Sequence, residues 1–496
     1  MTMAKVAAVI LLDNARGVER EARAALSKGA DLAELRLDLV RNLDPVTIRN
    51  LASAVGSKAI ATLRSEAQGG DRGLRKERRP ALLNEIIAQR FAYVDVEREA
   101  DGERIEDLRR LAKRHRPTIV ASHHFATVTD PGRVQDALEA CAAIGDVAKV
   151  AAPAEDLDSA IQFIDLARAQ SKAKRRVVLV GTGIDGMITR ALAEDVGQEI
   201  QYAAWGRSVS PGQLSLAAAT RLRGREPMVL GLVGHPLGHS LSPAIHEAAL
   251  GALDVPGIYL PFDCDAESLD SLLEAAERDH VRGFNVTSPH KEAIVEKLDE
   301  LDGDAERLGA VNTVVIGEGW TKGHNTDVFG FRLSLRSLGL RVGDRRVLVV
   351  GAGGAAKAVV DVLVREGAKV QVTNRTMRRA DVLADSFDES VEAIPLDALT
   401  RGGPWDLLVN ATPLGTREAG PGLPVPASIL PKVAHVYDLV YNPPTTPLLE
   451  AARRLGKPTT SGLEMLLHQA AQSFELWTGR APPIEPMRRA AKEALG

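Results

Sequence analysis

Residues 347–360 read VLVVGAGGAAKAVV: an apolar run leads directly into a glycine-rich turn, and small and apolar residues follow at helical spacing. This order predicts a strand, a tight turn and a helix, the opening unit of a dinucleotide-binding fold. Gly351, Gly353 and Gly354 allow the sharp turn and the close approach of a pyrophosphate to the backbone. Ala356 stands at the third glycine position, where the fingerprint accepts alanine.

The next strand, KVQVTNRT (369–376), predicts which dinucleotide is bound. NAD sites carry an acidic residue at this strand end, which holds the ribose hydroxyls. Here Asn374, Arg375 and Thr376 occupy the strand end, and Arg379 follows. Guanidinium groups without a carboxylate favour a 2′-phosphate, so the predicted cofactor is NADP. The alternative is that these arginines are solvated surface residues.

Upstream of this unit, MVLGLVG (228–234) predicts another strand, and HSLSP (239–243) predicts a helix start. Ser240 and Ser242 present two hydroxyls there, which suit a carboxylate because a helix N-terminus favours negative charge. Simple capping of the helix is the alternative. The polar stretch 221–227 marks the boundary with the first half of the chain.

The first half repeats an alternation of short, β-branched apolar runs with longer stretches of helical spacing. Eight such units before residue 224 predict a (β/α)8 barrel. The predicted strands are VAAVI (6–10), AELRLDLV (33–40), AIATL (59–63), YVDVE (93–97), TIVAS (118–122), VAKVAA (147–152), VVLVG (177–181) and IQYAAW (200–205).

Polar residues lie in or just after most of these runs, where barrel enzymes place their catalytic groups. Ionisable side chains on so many strands exceed what a core accepts without a use. They are Glu34, Arg36, Arg64, Glu97, His123, His124 and Lys149, with Arg190 and Gln213 after the last two strands.

Lys149 is the most informative of these residues, because its strand neighbours offer no compensating charge. If it points inward, desolvation disfavours the ammonium and leaves an amine able to form an imine with a ketone. His123 could then carry protons, and the arginines could hold a carboxylate. A lysine on the outer face, or an ion-paired barrel lysine, is the alternative.

Composition excludes several other classes of protein. Apolar residues make up 45% of the 496 residues, so a mainly disordered chain is excluded. The net charge of −4 gives no reason to expect nucleic acid or an anionic membrane as a partner. Cys141 and Cys264 lie in no metal-binding spacing and predict a cytoplasmic protein without a zinc site. The apolar run 6–12 is too short to span a bilayer.

The first half resembles type I 3-dehydroquinate dehydratase. The similarity rests on motifs that occur in family order over nearly all of residues 1–224. They are ELRLD (34–38), TLRS (62–65), DVE (95–97), SHHF (122–125), AKVAAP (148–153), ITR (188–190) and SPGQ (210–213).

This resemblance implies that Lys149 forms an imine with the ring ketone of the substrate. His123 would be the general base and acid, with His124 as the fallback, and Glu97 would orient it. The expected substrate contacts are Glu34, Arg36, Arg64, Arg190 and Gln213. The chain departs from the family at Val209, where Ser or Thr is usual. The charged segment 71–79 is read as a solvated loop, with a lid over the barrel mouth as the alternative.

The second half resembles shikimate dehydrogenase over about 228–480. The matching motifs include GHPLGHSLSP (234–243), FNVTSPHK (284–291), AVNTV (310–314), HNTD (324–327), VGAGGAAKA (350–358), NRT (374–376), NATPLG (410–415), DLVYNPPTTPLL (438–449) and GLEMLLHQAA (462–471). The resemblance implies that Lys291 and Asp327 form the proton-handling pair, although a structural salt bridge would look the same in sequence.

The same resemblance implies the remaining contacts of the second half. The carboxylate of the substrate would meet Ser240 and Ser242, and its ring hydroxyls would meet Thr287, Asn312 and Gln469. The expected cofactor contacts are Gly351, Ala352, Gly353, Gly354, Ala355, Asn374, Arg375, Thr376, Arg379, Thr412, Tyr441 and Gly462.

Together these similarities predict an α/β protein of three parts: a barrel (1–224), a substrate domain (228–335, completed by 457–496) and an NADP domain (336–456). They predict a bifunctional enzyme that dehydrates 3-dehydroquinate and then reduces 3-dehydroshikimate, with small molecules as its partners. The alternatives are a quinate and NAD specificity of the second half, or a barrel that binds dehydroquinate without turnover. Lys149, His123, Lys291 and Asp327 favour an enzyme, since a binding relic could lose any of them.

Overall fold

The computed structural model describes residues 3–71, 76–101, 104–208, 212–237, 240–278 and 281–495. The chain divides into two compact units. The first comprises residues 1–230, 254–263 and 271–275, and the second comprises 231–253, 264–270 and 276–496.

The first unit contains a nearly closed parallel barrel whose strand order is β7-β6-β5-β4-β3-β2-β1-β8. Its apolar interior includes Val9, Leu32, Val120, Val147 and Val178, which come from five different strands. The strands are β1 (Lys5–Ile10), β2 (Leu32–Arg36), β3 (Ala59–Thr62), β4 (Tyr93–Glu97), β5 (Thr118–His124), β6 (Val147–Pro153), β7 (Val177–Thr182) and β8 (Ile200–Ala204). The second strand is shorter than predicted, since Leu37–Leu39 forms a 3-10 turn.

Helices separate these strands, and short polar side chains begin many of them. Asn14, Asp44, Asp130 and Asp156 each accept a backbone N–H in the first turn that follows, which satisfies one of the free donors there. The helices are α1 (Ala15–Ser27), α2 (Pro45–Val55), α3 (Arg79–Ala88), α4 (Arg98–Asp101), α5 (Ile105–His115), α6 (Pro131–Ala142), α7 (Leu157–Lys172), α8 (Met187–Ala191) and α9 (Leu216–Leu222).

A second, mixed sheet follows with the order β10-β9-β11-β13-β14-β12. Its strands are β9 (Met228–Gly234), β10 (Gly257–Asp263), β11 (Val281–Val286), β12 (Glu300–Leu301), β13 (Thr313–Gly317) and β14 (Trp320–His324). The helices of this region are α10 (Ser242–Ala252), α11 (Leu269–Arg278), α12 (Gly303–Leu308) and α13 (Thr326–Ser337).

The third sheet is parallel, with the order β17-β16-β15-β18-β19-β20. Its central strand β15 leads into α14 through the glycine turn, as the sequence predicts. The strands are β15 (Arg346–Val350), β16 (Lys369–Thr373), β17 (Val391–Ala393), β18 (Trp405–Asn410), β19 (Val433–Asp438) and β20 (Thr459–Ser461). The helices are α14 (Gly354–Arg365), α15 (Met377–Asp385) and α16 (Pro447–Arg454).

The C-terminal segment begins in the third sheet and then returns to the second. Because β20 pairs with β19, the third sheet extends past residue 456, its predicted end. Helix α17 (Leu463–Thr478) packs along α13, and α18 (Ile484–Leu495) packs on α10. Gly330 permits the α13–α17 contact, since a Cβ there would lie 2.8 Å from both Gln469 Cβ and Met465 O.

The predicted fold class is confirmed: an α/β barrel is followed by sheets of the Rossmann-like type. Within the part of the chain that the structure describes, no helix is both long enough and apolar enough to span a membrane.

Candidate active sites

Lys149 lies inside the barrel, where its side chain is almost completely buried. Its Nζ lies 3.4 Å from Asp95 Oδ2, 3.6 Å from Glu34 Oε1 and 3.8 Å from the centre of the Tyr202 ring. The inward orientation matches the prediction, but the lack of charge compensation does not. The compensating carboxylates come from β2 and β4, which the sequence of β6 alone could not reveal. Lys149 is therefore ion-paired inside the barrel, and the outer-face alternative is excluded.

Arg64 organises the charged layer around this lysine. Burial opposes its positive charge, but the surrounding carboxylates, led by Asp95, outweigh burial and raise the pKa of Arg64. Its guanidinium nitrogens lie within hydrogen-bond distance of Asp95 Oδ2 (3.0 Å), Glu97 Oε1 (3.1 Å), Ser122 Oγ (3.0 Å) and His124 Nδ1 (3.1 Å). These four contacts tie Arg64 to β4 and β5 beside Lys149.

The prediction that His123 faces Lys149 is wrong. On β5, Ser122 stands beside Lys149 in the parallel register, and alternate residues of a strand share a face. His124 therefore points inward, where its Nδ1 meets Arg64. His123 points the other way, and its Nδ1 lies 3.0 Å from Glu99 Oε1. His124, the fallback residue, is therefore the histidine that faces the barrel interior.

Electrostatics keep the inward histidine uncharged. Burial is the largest cause, and the cations of Arg64 and Lys149 act in the same direction, so the pKa of His124 lies well below its usual value. A neutral imidazole in this position can accept a proton at neutral pH.

The structure also corrects the residue that orients the histidine. Glu97 accepts hydrogen bonds from Arg64 and from the backbone N–H of Ser65, and it lies 3.3 Å from Arg79. The side chain that contacts His124 is that of Gln68. Its Oε1 lies 3.1 Å from His124 Nδ1 and also accepts the backbone N–H of His124. Gln68 lies in a 3-10 turn after β3, and no sequence signal distinguished it.

The other predicted residues of the first half lie at the end of β2, on α8 and after β8. Arg36 is buried and donates two hydrogen bonds to Asp38, at 2.9 Å and 2.8 Å. Arg190, on α8, donates to Gly181 O, and burial lowers the pKa of Arg190 to about 10. Gln213 follows β8 and accepts from Ser208 Oγ at 3.4 Å. Val209 and residues 72–75 of the charged segment lie outside the described residues.

In the second unit, Lys291 and Asp327 form the predicted pair, with Nζ 2.5 Å from Oδ2. Asp327 lies in the first turn of α13. Its other oxygen accepts from Asn312 Nδ2 at 2.9 Å, and the same amide lies 3.4 Å from Gln469 Oε1. Asn312 is thereby fixed in a buried network that joins the loop before β13 to α13 and α17.

A cavity of about 170 Å³ opens on this pair. It brings together the residues expected to hold the substrate. They are Ser240, Ser242, Thr287, Lys291, Asn312, Asp327 and Gln469, which come from both ends of the second half of the chain. Ser240 Oγ also accepts the backbone N–H of Ser242 at 3.2 Å, but Leu241 is the N-cap residue of α10 and makes no side-chain capping hydrogen bond, so simple capping by a serine is not what the helix start shows.

A second cavity, of about 1220 Å³, adjoins the first and shares Thr287, Lys291, Ala355 and Tyr441 with it. The glycine turn lines this larger cavity, and a Cβ added at Gly353 would meet no atom within 4 Å, so the turn leaves room for a phosphate. Eight expected cofactor residues line it: Ala352, Gly353, Gly354, Ala355, Thr376, Arg379, Thr412 and Tyr441.

Four expected cofactor residues have other positions. Gly462 lines the smaller cavity. Gly351, Asn374 and Arg375 do not line the larger one: Gly351 makes the turn with φ 118°, and Asn374 donates to Thr376 O at 3.0 Å. Arg378 lines the cavity beside Arg379, a contact that was not predicted from the sequence. These groups fit a phosphorylated dinucleotide, since two guanidinium groups and an open glycine turn face one cavity.

Among the residues that the structure describes, no group of three or more His, Cys, Asp or Glu side chains could hold a metal ion.

Comparison with known families agrees with this geometry. Residues 6–223 match the type I 3-dehydroquinase family. Residues 232–314 match the shikimate dehydrogenase substrate binding domain, 333–413 match shikimate / quinate 5-dehydrogenase, and 462–492 match the shikimate 5′-dehydrogenase C-terminal domain.

Individual relatives cover the second half of the chain. The shikimate dehydrogenase (NADP(+)) of Shouchella clausii is 42% identical over 272 residues, which are 53% of this chain and 98% of the relative. That of Methanopyrus kandleri is 46% identical over 281 residues, 54% of this chain and 97% of the relative. The crystal structure of shikimate 5-dehydrogenase from Thermus thermophilus, in complex with NADP(H) and shikimate, is 41% identical with a TM-score of 0.50 and covers 54% of this chain and 100% of that one. The chain belongs to the shikimate dehydrogenase family and carries a type I 3-dehydroquinase domain ahead of it, as a bifunctional enzyme of the shikimate pathway.

Proposed function

We propose that the barrel dehydrates 3-dehydroquinate to 3-dehydroshikimate, and that the second half reduces 3-dehydroshikimate to shikimate with NADPH. The observation that carries the proposal is the position of Lys149, buried inside the barrel next to a strand whose neutral His124 faces the same interior. That placement combines a nitrogen able to condense with a ketone and a base able to take a proton from carbon.

In the barrel, Lys149 passes one proton to His124, and its neutral amine adds to the ring ketone to give a carbinolamine. His124 returns the proton to the new hydroxyl group, which leaves as water, and an iminium remains. The iminium withdraws electrons from the neighbouring carbon, and His124 takes a proton from that carbon. His124 then returns a proton to the departing hydroxyl group, which leaves as water, and hydrolysis of the iminium frees Lys149. Arg190 and Gln213 hold the carboxylate, while Glu34 contacts a ring hydroxyl.

In the second half, bound NADPH supplies the hydride. Lys291 donates a proton to the substrate oxygen as that oxygen gains negative charge. Asp327 positions the ammonium of Lys291, since its Oδ2 lies 2.5 Å from Lys291 Nζ. Asn312 fixes the carboxylate from its other side. Ser240 and Ser242 hold the substrate carboxylate, and Arg378 and Arg379 hold the 2′-phosphate of the cofactor.

The two free cysteines agree with a reducing, cytoplasmic environment for the protein. Burial raises the pKa of the Cys141 thiol to about 12, so this thiol stays protonated and unreactive.

The test is to supply the purified chain with 3-dehydroquinate and NADPH and to measure shikimate and NADP⁺. We expect one NADP⁺ for each shikimate, with neither reaction requiring another protein. Formation of dehydroshikimate without NADPH oxidation would contradict the second assignment. No dehydroshikimate at all would indicate a barrel that binds without turnover, and faster turnover of quinate with NAD would indicate the other specificity.

A further inference from the structure

Asp95 has no role in the mechanism proposed for the barrel, although its carboxylate lies against the reacting nitrogen of Lys149. It is on β4, two residues before Glu97, and is 1% exposed. Residues two apart on a strand share a face, so both carboxylates point into the barrel.

Protein groups fix both oxygens of this carboxylate. Oδ1 accepts a hydrogen bond from Ser122 Oγ at 2.7 Å. Oδ2 accepts from Arg64 Nη2 at 3.0 Å and lies 3.4 Å from Lys149 Nζ. Ser122 and Arg64 therefore hold the Asp95 carboxylate in place beside Lys149.

The charge of Asp95 is equally well defined. Burial alone would raise the pKa of Asp95, but the cations of Arg64 and Lys149 and the hydrogen bond from Ser122 outweigh it and hold that pKa well below its usual value. An aspartate of this kind is a poor proton acceptor, so it does not serve as the base that deprotonates Lys149. It remains a fixed negative charge beside the nitrogen.

The chemistry of imine formation shows why a fixed charge is useful there. The amine that adds to the ketone is neutral, but loss of water leaves an iminium, so the nitrogen bound to the substrate carries a positive charge in the intermediate. A cation buried away from water needs a compensating charge, and a charge that is already in place requires no rearrangement during the reaction.

We propose that Asp95 is a catalytic residue of the dehydratase site: its carboxylate is the counter-ion of the positive nitrogen of Lys149, both before the substrate arrives and in the iminium. This inference rests on the proposed imine chemistry of the barrel.

The experiment compares the full-length chain with Asp95→Asn, which keeps the shape of the side chain and removes its charge. Removal of an electrostatic stabiliser from a buried site typically lowers kcat by roughly 10²–10³-fold, and we expect a loss of that order in dehydratase kcat. Borohydride trapping of dehydroquinate on Lys149 should fall in parallel, while NADPH-linked reduction of dehydroshikimate stays unchanged.

Glu99→Gln is the matched control, because it removes a carboxylate that is 55% exposed and lies in α4, two residues after the end of the same strand. Its dehydratase kcat should stay within about twofold of the wild-type value, as is usual for exposed charges. If Asp95→Asn keeps its dehydratase kcat within threefold of wild type, the counter-ion proposal is overturned. If the wild-type chain itself traps no adduct, the proposed imine function fails instead.

A second variant decides the matter if Asp95→Asn does not fold. Asp95→Ala leaves space for a small carboxylate, so formate should raise its dehydratase rate at least about tenfold over chloride at equal ionic strength. A purely structural aspartate would show no such rescue, and an absence of rescue in the folded alanine variant would overturn the proposal.

Discussion

In the barrel, the side chain of Lys149 is 6% exposed and lies between carboxylates of two other strands, one of which, Asp95, is also bonded to Arg64. In the second unit, the side chain of Lys291 is 18% exposed, is paired with Asp327, and faces an adjoining pair of cavities. The barrel thus neutralises its charges internally, whereas the second site leaves arginine charges for its ligands to neutralise. Loss of one barrel charge should disturb its neighbours, while loss of one charge in the second site should affect mainly the ligand that it meets.

The strongest test of this contrast is Lys149→Ala. Dehydration should fall on the order of 10⁴-fold or more, because the covalent intermediate cannot form. Reduction of dehydroshikimate should keep its rate, since that site lies in the other compact unit. Both rates are measured on one preparation, and loss of both would contradict independent sites.

Asp327→Asn is the matching change in the second unit. We expect the dehydrogenase kcat to fall roughly 10²–10⁴-fold, the usual contribution of a positioned proton donor and its partner. The dehydratase rate serves as the internal control. An unchanged kcat with a raised KM for dehydroshikimate would assign Asp327 to substrate binding instead.

Arg379→Gln tests whether the open cavity waits for a phosphate. A hydrogen bond to a charged group contributes about 1.5–3 kcal/mol, so the KM for NADPH should rise roughly 10–100-fold. The KM for NADH should change little, because NADH lacks the 2′-phosphate. Equal increases for both cofactors would show that the arginine does not read that phosphate. Arg401→Gln, at an exposed residue that does not line the cavity, is the control.

Gln68→Glu should produce the smallest of these effects and the most specific one. A carboxylate 3.1 Å from His124 Nδ1 would favour the imidazolium, which opposes the burial and the cations that hold the pKa of His124 low. The base form is then lost at a higher pH, so the acidic limb of the dehydratase pH–rate profile should move upward by about one unit. A profile that does not move would argue against contact between Gln68 and the base. His123→Gln should leave the profile in place.

Local sequence patterns predict some of these contacts and leave others undetermined. The period of two along β6 left open whether Lys149 points into the barrel or out of it, and the paired barrel shows the inward orientation. The same rule places His124 inside and His123 outside, but only relative to Lys149, and that register exists only after β5 and β6 pair. Gln68 and Arg64 became neighbours of the histidine through pairing of separate strands and turns, so no spacing in the sequence encodes their contact.

The sequence by itself determined the order of the two folds, the eight strands of the barrel, the glycine turn and the identity of most charged groups. These features depend on local periodicity and residue chemistry, which a single chain displays directly. Tertiary structure alone decided which histidine faces the lysine, that an amide orients it, and that Lys149 meets carboxylates from two other strands. Those are contacts between segments distant in sequence, and charge compensation in a buried site depends on distances across the barrel.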